Sequence, residues 1–414
     1  MIEPRPQLGS PKMGELLSPR EAMLRALVIA RKGAGFVSPN PMVGCVIVDR
    51  EHRFLVEGWH TKVGSNHAEI EALERLKALK GSREALEGCH VYVTLEPCAH
   101  EGRTPSCAKT LAPLQPASVT FPFHDPNPLV AGKGAEILRT AGIRAVPLTD
   151  AHVWPALPHE PIDPLVKQEL IDWAEDVAEI FLWNARQREL PFVTVKVAST
   201  LDGKVALRSG ESQWITGDLA RVKGHRLRRE HDAILVGRRT VETDNPSLNV
   251  RLKSITGVEN SVVIIDPRAK LLPTLKDRRL SQVRPTTKVF VCVQSGCFDV
   301  DVVSRAHDEG FQVFDVGGSE PGIIDLREAL IKVRTLGLMG LYVEGGAGTV
   351  GPFLDGELAQ RLHVFMSTGV LGGREATGWS DLCGVGTLAQ MWKLKRQHVN
   401  VLDGDIHITG RLQV

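Results

Sequence analysis

The sequence predicts an α/β protein built as two successive domains. Three observations carry that reading. At 414 residues the chain is too long for one ordinary core. Up to about residue 150, short apolar runs alternate with helical patterns, as in a layered α/β domain. After a proline-rich break at 148–164, a second set of apolar runs and helical patterns starts at Pro191 and ends in a hairpin.

Composition narrows the class. Hydrophobic residues make up 43% and charged residues 24%, the balance of a soluble globular protein. A formal net charge of +1 argues against a general nucleic-acid binder. No apolar run approaches the roughly 18 residues that span a membrane. The N-terminal stretch is polar and rich in Pro and Gly rather than secretory. Seven cysteines, an odd number, then suggest a reducing cytoplasm with thiols free for metal.

The first domain is expected over 18–150, after a loose extension. Ser18-Pro19-Arg20-Glu21 opens a helix, with Ser at the N-cap, Pro at N1 and Glu at N3. Ser38-Pro39-Asn40-Pro41 ends the helical pattern, and Met42–Val48 reads as a buried strand. Phe54–Trp59 is a second strand, and a helix begins at His67 with Ser65 or Asn66 as cap. His90–Leu95 is a third strand. Thr104-Pro105 opens a helix that carries Cys107 in its first turn. The strand Ala117–Phe121, a helix around Gly134–Thr140 and the run Arg144–Val146 complete a three-layer α/β pattern.

Residues 151–190 are expected as a linker and connecting helix. Leu165 to Leu190 reads as one long helix, with Leu170, Trp173, Ala174, Val177, Ile180 and Phe181 on one face that packs across the start of the second domain. The second domain covers 191–414. Pro191–Ser199 is a strand, Thr216 caps a helix over Asp218–Glu230, and Ala233–Gly237 is a strand followed by a polar loop from Arg238 to Arg251. Strands at Val262–Ile265 and Val289–Val293, a helix over Asp325–Leu336 and a strand ending at Val343 follow. An Asp403-Gly404 turn closes a final hairpin.

The chemistry concentrates between His67 and Cys107. His67-Ala68-Glu69, then Glu96-Pro97-Cys98, then Cys107 supply one imidazole and two thiolates for zinc, leaving a fourth position for water. Zinc deaminases use that set, with the Glu two residues after the His moving protons rather than binding metal. Glu69 is therefore the expected catalytic residue. The usual spacing between the cysteines is shorter; here eight residues separate them. A purely structural zinc would need a fourth protein ligand. Cys45, Cys89, Cys292, Cys297 and Cys383 read as small buried hydrophobes. In the second domain, Gly345-Gly346-Ala347-Gly348 between a strand and a helix can cradle a phosphate on backbone N–H groups, although it is not the dinucleotide fingerprint.

The stretches Ser38–Gly44, Gly58-Trp59-His60, His67-Ala68-Glu69, Thr94–Cys107 and Asp125–Gly132 resemble the deaminase half of the bifunctional riboflavin-biosynthesis deaminase/reductase family. Lys196–Lys204, Gly210–Gly217 and Leu341–Thr349 are similar to its reductase half. The resemblance implies a cytidine-deaminase-like three-layer α/β domain followed by a dihydrofolate-reductase-like α/β domain. It implies Zn2+ and NADPH, a small phosphoribosyl pyrimidine as substrate, and a homo-oligomer. The implied substrate is 2,5-diamino-6-(5-phosphoribosylamino)pyrimidin-4(3H)-one. Its 2-amino group leaves as ammonia, and its ribosyl group is then reduced at C1′ to ribityl. The alternatives are that one half alone is active, or that the deaminase acts on another nucleoside or a tRNA base.

Residue by residue, the family pattern places Asn40, His60, His100 and Arg103 at the deaminase substrate, with the Asn40 amide suited to a pyrimidine edge and Arg103 to the phosphate. It places Ala198, Trp214, Thr240, Asp244 and the loop Gly346, Ala347, Gly348, Thr349 at NADPH. It places Ser212, Arg228, Leu248, Arg251 and Glu344 at the reductase substrate. Arg228 and Arg251 suit the 5′-phosphate and Glu344 the ribose hydroxyls. Asp202 and Lys204 read as groups for proton delivery or sugar positioning, or alternatively as a solvated turn. Arg238 and Arg239 stand where relatives carry small residues. One of them is expected at the NADPH 2′-phosphate, unless the pair is simply solvated. The stretch Gly356–Leu362 also departs from the family.

Overall fold

The computed structural model describes residues 9–101, 105–127, 130–186, 189–381, 384 and 386–413. The chain divides into two compact units, the division falling just before Glu189.

In the first unit Ser18 and Glu21 form the expected capping box at the head of α1 (Pro19–Ala30). Then come β1 (Gly44–Val48), β2 (Phe54–Trp59), α2 (Ala68–Lys80), β3 (His90–Val93), α3 (Cys107–Leu111), β4 (Ser118–Phe121), α4 (Lys133–Thr140), β5 (Arg144–Pro147), α5 (Pro164–Val177) and α6 (Glu179–Arg186). The sheet order is β2-β1-β3-β4-β5. Strand β1 runs antiparallel to both neighbours, while β3, β4 and β5 are parallel. Alternation along β1 separates two cores. Cys45 and Ile47 face α2, α3 and α4, whereas Val46 and Val48 face α1 and α5. The result is three layers.

Two expectations change here. The long helix at 165–190 is two helices, interrupted at Ala178, with Asp163 capping the first and Pro164 at N1. Its apolar face is covered from within the first unit. Leu170, Ile171, Trp173, Ala174 and Val177 pack with Leu24 and Leu27 of α1, and Leu148, Trp154 and Ile162 from the proline-rich stretch join the same core. That stretch belongs to the first unit's structure.

The second unit contains β6 (Phe192–Ser199), β7 (Lys204–Ala206), α7 (Asp218–Glu230), β8 (Ala233–Gly237), α8 (Arg238–Asp244), β9 (Ser261–Ile265), α9 (Arg279–Gln282), β10 (Val289–Gln294), α10 (Val300–Asp308), β11 (Gln312–Val316), α11 (Leu326–Thr335), β12 (Gly340–Val343), α12 (Ala347–Asp355), β13 (Arg361–Met366), β14 (Thr377–Gly378), β15 (Leu394–Leu402) and β16 (Asp405–Leu412). The large sheet has the order β11-β10-β9-β8-β12-β6-β13-β16-β15. From β11 to β13 every pairing is parallel; β16 and β15 close the edge as an antiparallel hairpin. Its turn at Asp403-Gly404 has φ of 51° and 92°, the double left-handed geometry of a type I′ turn. Strands β7 and β14 form a separate small ribbon.

Helix α7 is capped by Gly217 rather than Thr216. The expected loop after Gly237 begins as helix α8, whose Arg238 and Glu242 pair across one turn. Strand β12 inserts between β8 and β6, so neighbouring connections leave in opposite directions. Crevices at the carboxyl ends of parallel strands form at such a switch point.

Candidate zinc centre and reductase site

The three expected metal ligands converge. His67 is the N-cap of α2, in extended backbone with φ −67° and ψ 164°. Glycine at 58 lets β2 come directly against that helix start: a Cβ there would lie 2.4 Å from Ala72 N and 2.6 Å from Ala68 O. Cys107 is the first residue of α3. Ser106 caps this helix, accepting from Lys109 N, and donates its hydroxyl to Cys98 O at 2.7 Å, tying the two cysteine segments together. His67 Nδ1 is 3.6 Å from Cys98 Sγ and 3.4 Å from Cys107 Sγ.

These spacings fit zinc. Bonds of about 2.3 Å to sulfur and 2.0–2.1 Å to nitrogen in a tetrahedron put S and N about 3.5 Å apart. Among the described residues the group is these three donors and no fourth, the ligand set of an open site rather than a closed structural one. Cys107's thiol and its N–H, 3.3 Å from Cys98 Sγ, hold Cys98 down at about 4, in the thiolate form a metal needs.

Glu69 lies in the first turn of α2 and is 4% exposed. Burial, then the Cys98 thiolate, pushes its carboxyl up to about 7, the range where one group can both take and return a proton at neutral pH.

Asn40 and His60 form a pair beside the ligands. His60 Nδ1 lies 3.0 Å from Asn66 O, so this nitrogen carries the proton and donates. Its Nε2 then accepts from Asn40 Nδ2 at 3.2 Å. The His60 ring meets the His67 ring edge-on at 5.6 Å. Burial, with His67 adding to it, holds His60 below its ordinary value and keeps it neutral. His60 thus fixes the Asn40 side chain through its amide nitrogen. His100 is exposed and reaches Asp125 only through its charge. Arg103 lies outside the described residues.

Glu96 is a further member of this site, not singled out by the motif chemistry. This buried carboxylate accepts from His124 Nδ1 at 2.9 Å and from the backbone N–H groups of Asp125, Gly132 and Ala135 at 3.0 Å each. It thereby fastens the 124–135 segment and the head of α4 to the strand end that carries Cys98. Those hydrogen bonds outweigh burial and keep it ionised. Its sequence signal is an acid two residues before a ligand, in Glu96-Pro97-Cys98.

In the second unit most of the expected cofactor residues lie at or just after the carboxyl ends of the parallel strands β6, β8 and β12, whereas Trp214 lies between β7 and α7. A Cβ on Gly345 would meet Thr349 Cβ at 2.3 Å, and one on Gly237 would meet Thr349 Oγ1 at 2.6 Å. Strand ends β8 and β12 and the first turn of α12 therefore close up only because both positions are glycine. Gly346 is the N-cap of α12, and Gly346 and Gly348 are exposed with open space above them. A helix start in that setting suits a cofactor phosphate. Thr240 and Asp244 stand one turn apart on α8, and Ala198 is near the end of β6.

Arg228 and Glu344, expected as separate substrate contacts, bind each other. Arg228 Nε is 2.9 and 3.1 Å from the Glu344 oxygens, and Nη2 is 2.5 Å from Oε2. Burial raises the Glu344 carboxyl, but the Arg228 charge and hydrogen bonds overcome it and hold it low. Lys196 and Arg251 lie within electrostatic reach of Glu344 as well. Burial, with Arg228 contributing, lowers the Lys196 amine. His225 accepts from Arg251 N at 3.3 Å and is pulled to about 4 by burial and both arginines, so it stays neutral. The cluster remains cationic, as a phosphate site requires. A half-buried lysine on a strand beside an ion pair is the feature that marks Lys196.

Ser212 and Trp214 line a cavity of about 250 Å³ with Thr200, Leu207, Ser367 and Val370. Trp214 is 70% exposed, with Arg221 stacked at 4.6 Å. Asp202 is an ionised hydrogen-bond acceptor at neutral pH. It accepts from Thr200 Oγ1 at 2.6 Å and from the N–H groups of Leu371 and Gly372 at 3.0 and 2.8 Å, which hold it at about 2. Lys204 Nζ donates to Ala376 O at 3.2 Å. Both residues fasten the 369–376 wall of the cavity.

Residues 18–122 match the cytidine and deoxycytidylate deaminase zinc-binding region, and residues 191–408 match the RibD C-terminal domain. The riboflavin biosynthesis protein RibD of Actinobacillus pleuropneumoniae is 33% identical over 93% of both chains. The chain belongs to the RibD family.

RibD of Acinetobacter baumannii superposes with a TM-score of 0.74 at 30% identity, covering 95% of this chain and 99% of that one. A diaminohydroxyphosphoribosylaminopyrimidine deaminase/5-amino-6-(5-phosphoribosylamino)uracil reductase from Thermotoga maritima gives 0.73 at 29%, covering 95% and 98%. As a RibD chain carrying both halves, this is a bifunctional enzyme of riboflavin biosynthesis, a zinc-dependent deaminase joined to an NADPH-dependent reductase. Its folds are the expected deaminase-like and dihydrofolate-reductase-like α/β units. No helix of the described residues is long and apolar enough to cross a membrane. The two arginines that depart from the family differ in their surroundings. Arg238 is paired with Glu242, with Asp266 Oδ1 at 3.6 Å, so its charge is already matched. Arg239 is the exposed member of the pair.

Proposed function

We propose that the first unit removes the 2-amino group of 2,5-diamino-6-(5-phosphoribosylamino)pyrimidin-4(3H)-one as ammonia. The second unit then reduces the ribosyl group of the product, giving 5-amino-6-(5-phosphoribitylamino)uracil. The observation that carries the first step is the meeting of His67, Cys98 and Cys107 with buried Glu69 at one helix start. Zinc held there supplies the Lewis acidity that makes water a nucleophile near neutral pH. Glu69 carries one proton of the attacking water to the ring nitrogen, then the proton of the hydroxyl formed on C2 to the departing amine, which leaves as ammonia. Asn40, fixed by His60, holds the pyrimidine edge. His100 and Arg103 complete the substrate side in this reading.

NADPH supplies the hydride for the second step. Ala198, Trp214, Thr240, Asp244 and the loop Gly346–Thr349 hold it, and exposed Arg239 rather than Arg238 takes the 2′-phosphate. Arg251, backed by the Arg228–Glu344 pair, meets the sugar phosphate, with Ser212 and Leu248 on the same side. Lys196, with its lowered amine beside Glu344, is positioned to protonate the sugar oxygen freed as the ring opens. Thiolate ligands favour a reducing cytoplasm, and exposed Val399 and Val401 on the edge strand β15 favour self-association.

The test is to supply the diaminopyrimidine phosphate with and without NADPH and follow ammonia and NADPH separately. Ammonia release without NADPH, and NADPH oxidation only after it, is the expected result. Ammonia from cytidine but none from the phosphoribosyl substrate would overturn the reading.

A further inference from the structure

We infer that Arg284 is a positioning residue of the reductase: it locks the 247–248 backbone so that Arg251 stands in the cationic cluster with Arg228 and Glu344. This rests on the reading that Leu248 and Arg251 serve the reductase substrate.

Arg284 follows α9 in a part of the chain where no family motif was read. It is 8% exposed. Its Nη2 donates to Ser247 O at 2.8 Å and to Leu248 O at 2.7 Å. Its Nη1 is buried with no hydrogen-bond partner among the described residues. The acid whose charge reaches it, Glu259, is itself bonded to Lys288 at 2.8 Å. A buried guanidinium without a bonded carboxylate is costly. Burial, with Arg228 adding to it, lowers its pKa to about 10.

What the arginine secures is an unfavourable backbone. Leu248 has φ +48°, a left-handed conformation that costs a bulky residue about 1–3 kcal/mol. Its side chain is buried with Ile234, Val236 and Val262, so the residue is held by packing on one side and by Arg284 on the other. The next carbonyl, Asn249 O, is held by Arg228 Nη1 at 3.1 Å. Three consecutive carbonyls are therefore turned onto two arginines. From that kink, Asn249 Oδ1 accepts from Arg251 Nη1 at 2.8 Å and Arg251 N reaches His225. The kink aims the loop, and Arg284 holds the kink.

The test uses the full zinc-loaded chain carrying Arg284→Met, Arg284→Lys or Arg251→Met. NADPH oxidation is measured with the deaminated substrate and NADPH varied in turn, and ammonia release serves as the internal control. Arg284→Met is expected to lower kcat/KM for the uracil substrate about tenfold or more, the scale of a misplaced binding group, while KM for NADPH and ammonia release hold. Arg284→Lys, still able to reach one carbonyl, recovers part of the loss. If Arg284→Met does not fold, Arg284→Lys decides: an unchanged KM for the uracil substrate overturns the inference. Equal losses toward both substrates also overturn it, since they mark general loosening. If Arg251→Met leaves the uracil KM unchanged, the underlying site reading fails instead, and the two failures are told apart.

Discussion

Arg228 and Glu344, 116 residues apart in the chain, meet as a fork-on-fork ion pair inside the second unit. Removing one member strands the other charge in a poorly hydrated place, which costs about 3–5 kcal/mol. Glu344→Gln is expected to lower the stability of the reductase unit on that scale and to suppress NADPH oxidation. Urea unfolding followed alongside the NADPH assay checks it; an unshifted midpoint would mean that solvent reaches the pair.

Glu69→Gln keeps the shape of the side chain and removes the proton carrier. Ammonia release should fall by about 10²–10⁴-fold, the usual share of general acid–base catalysis. Zinc content, measured on the same preparation, should stay at one level with the parent chain, because Glu69 is not among the converging ligands. Cys107→Ser should instead lower both.

Acid should weaken the first unit through His90. Burial first, then His52 and Arg144, hold this imidazole at about 4, with its ring 4.7 Å from that of His52. An unfolded histidine titrates near 6.5. The folded state therefore binds fewer protons, and stability is complete above about pH 6.5 and declines toward pH 4. The loss is on the order of 3 kcal/mol when fully developed. Melting temperatures at pH 7.5, 6 and 5 should fall less steeply for His90→Gln than for the parent. Parallel slopes would assign the acid sensitivity elsewhere.

Gly345→Ala and Gly348→Ala should part company. The first drives a methyl to 2.3 Å from Thr349 Cβ, whereas the second meets nothing within 4 Å. Crowding of that kind costs about 1–3 kcal/mol. Gly345→Ala is expected to destabilise the unit without ligand. Gly348→Ala should leave the melt unchanged and raise KM for NADPH, because its exposed position is where a phosphate approaches. Calorimetry and NADPH titration separate the two.

The zinc ligands and Glu69 were legible because their chemistry is written in spacing: an imidazole, an acid two residues on, and two thiols in order. Helix α1 and the last hairpin were legible for a similar reason, since the Ser18–Glu21 box and the Asp403-Gly404 turn are local interactions. Helix α8 was not, because Arg238–Asp244 has no apolar period and owes its helicity to the turn at Gly237 and the Arg238–Glu242 pair. The partner of α5 was hidden as well: an apolar stripe tells that a face is covered, not which surface covers it. Asp202 reads as a chemical group or as a solvated turn alike, because an acid in a Gly turn shows its charge but not its partners. The N–H groups that occupy it come from 371 and 372, far along the chain.

The packing of α5 beneath α1 decides where this protein can be cut. A fragment ended at the proline-rich stretch would leave Leu24, Leu27 and their neighbours as an open greasy trough, and such a fragment should clump during expression. One carried through Arg186 would retain its own cover and remain a free-standing deaminase. Any separation of the two activities onto different polypeptides, by engineering or by descent, is therefore expected at the joint before Glu189, well beyond Pro164, where the prolines invite the scissors.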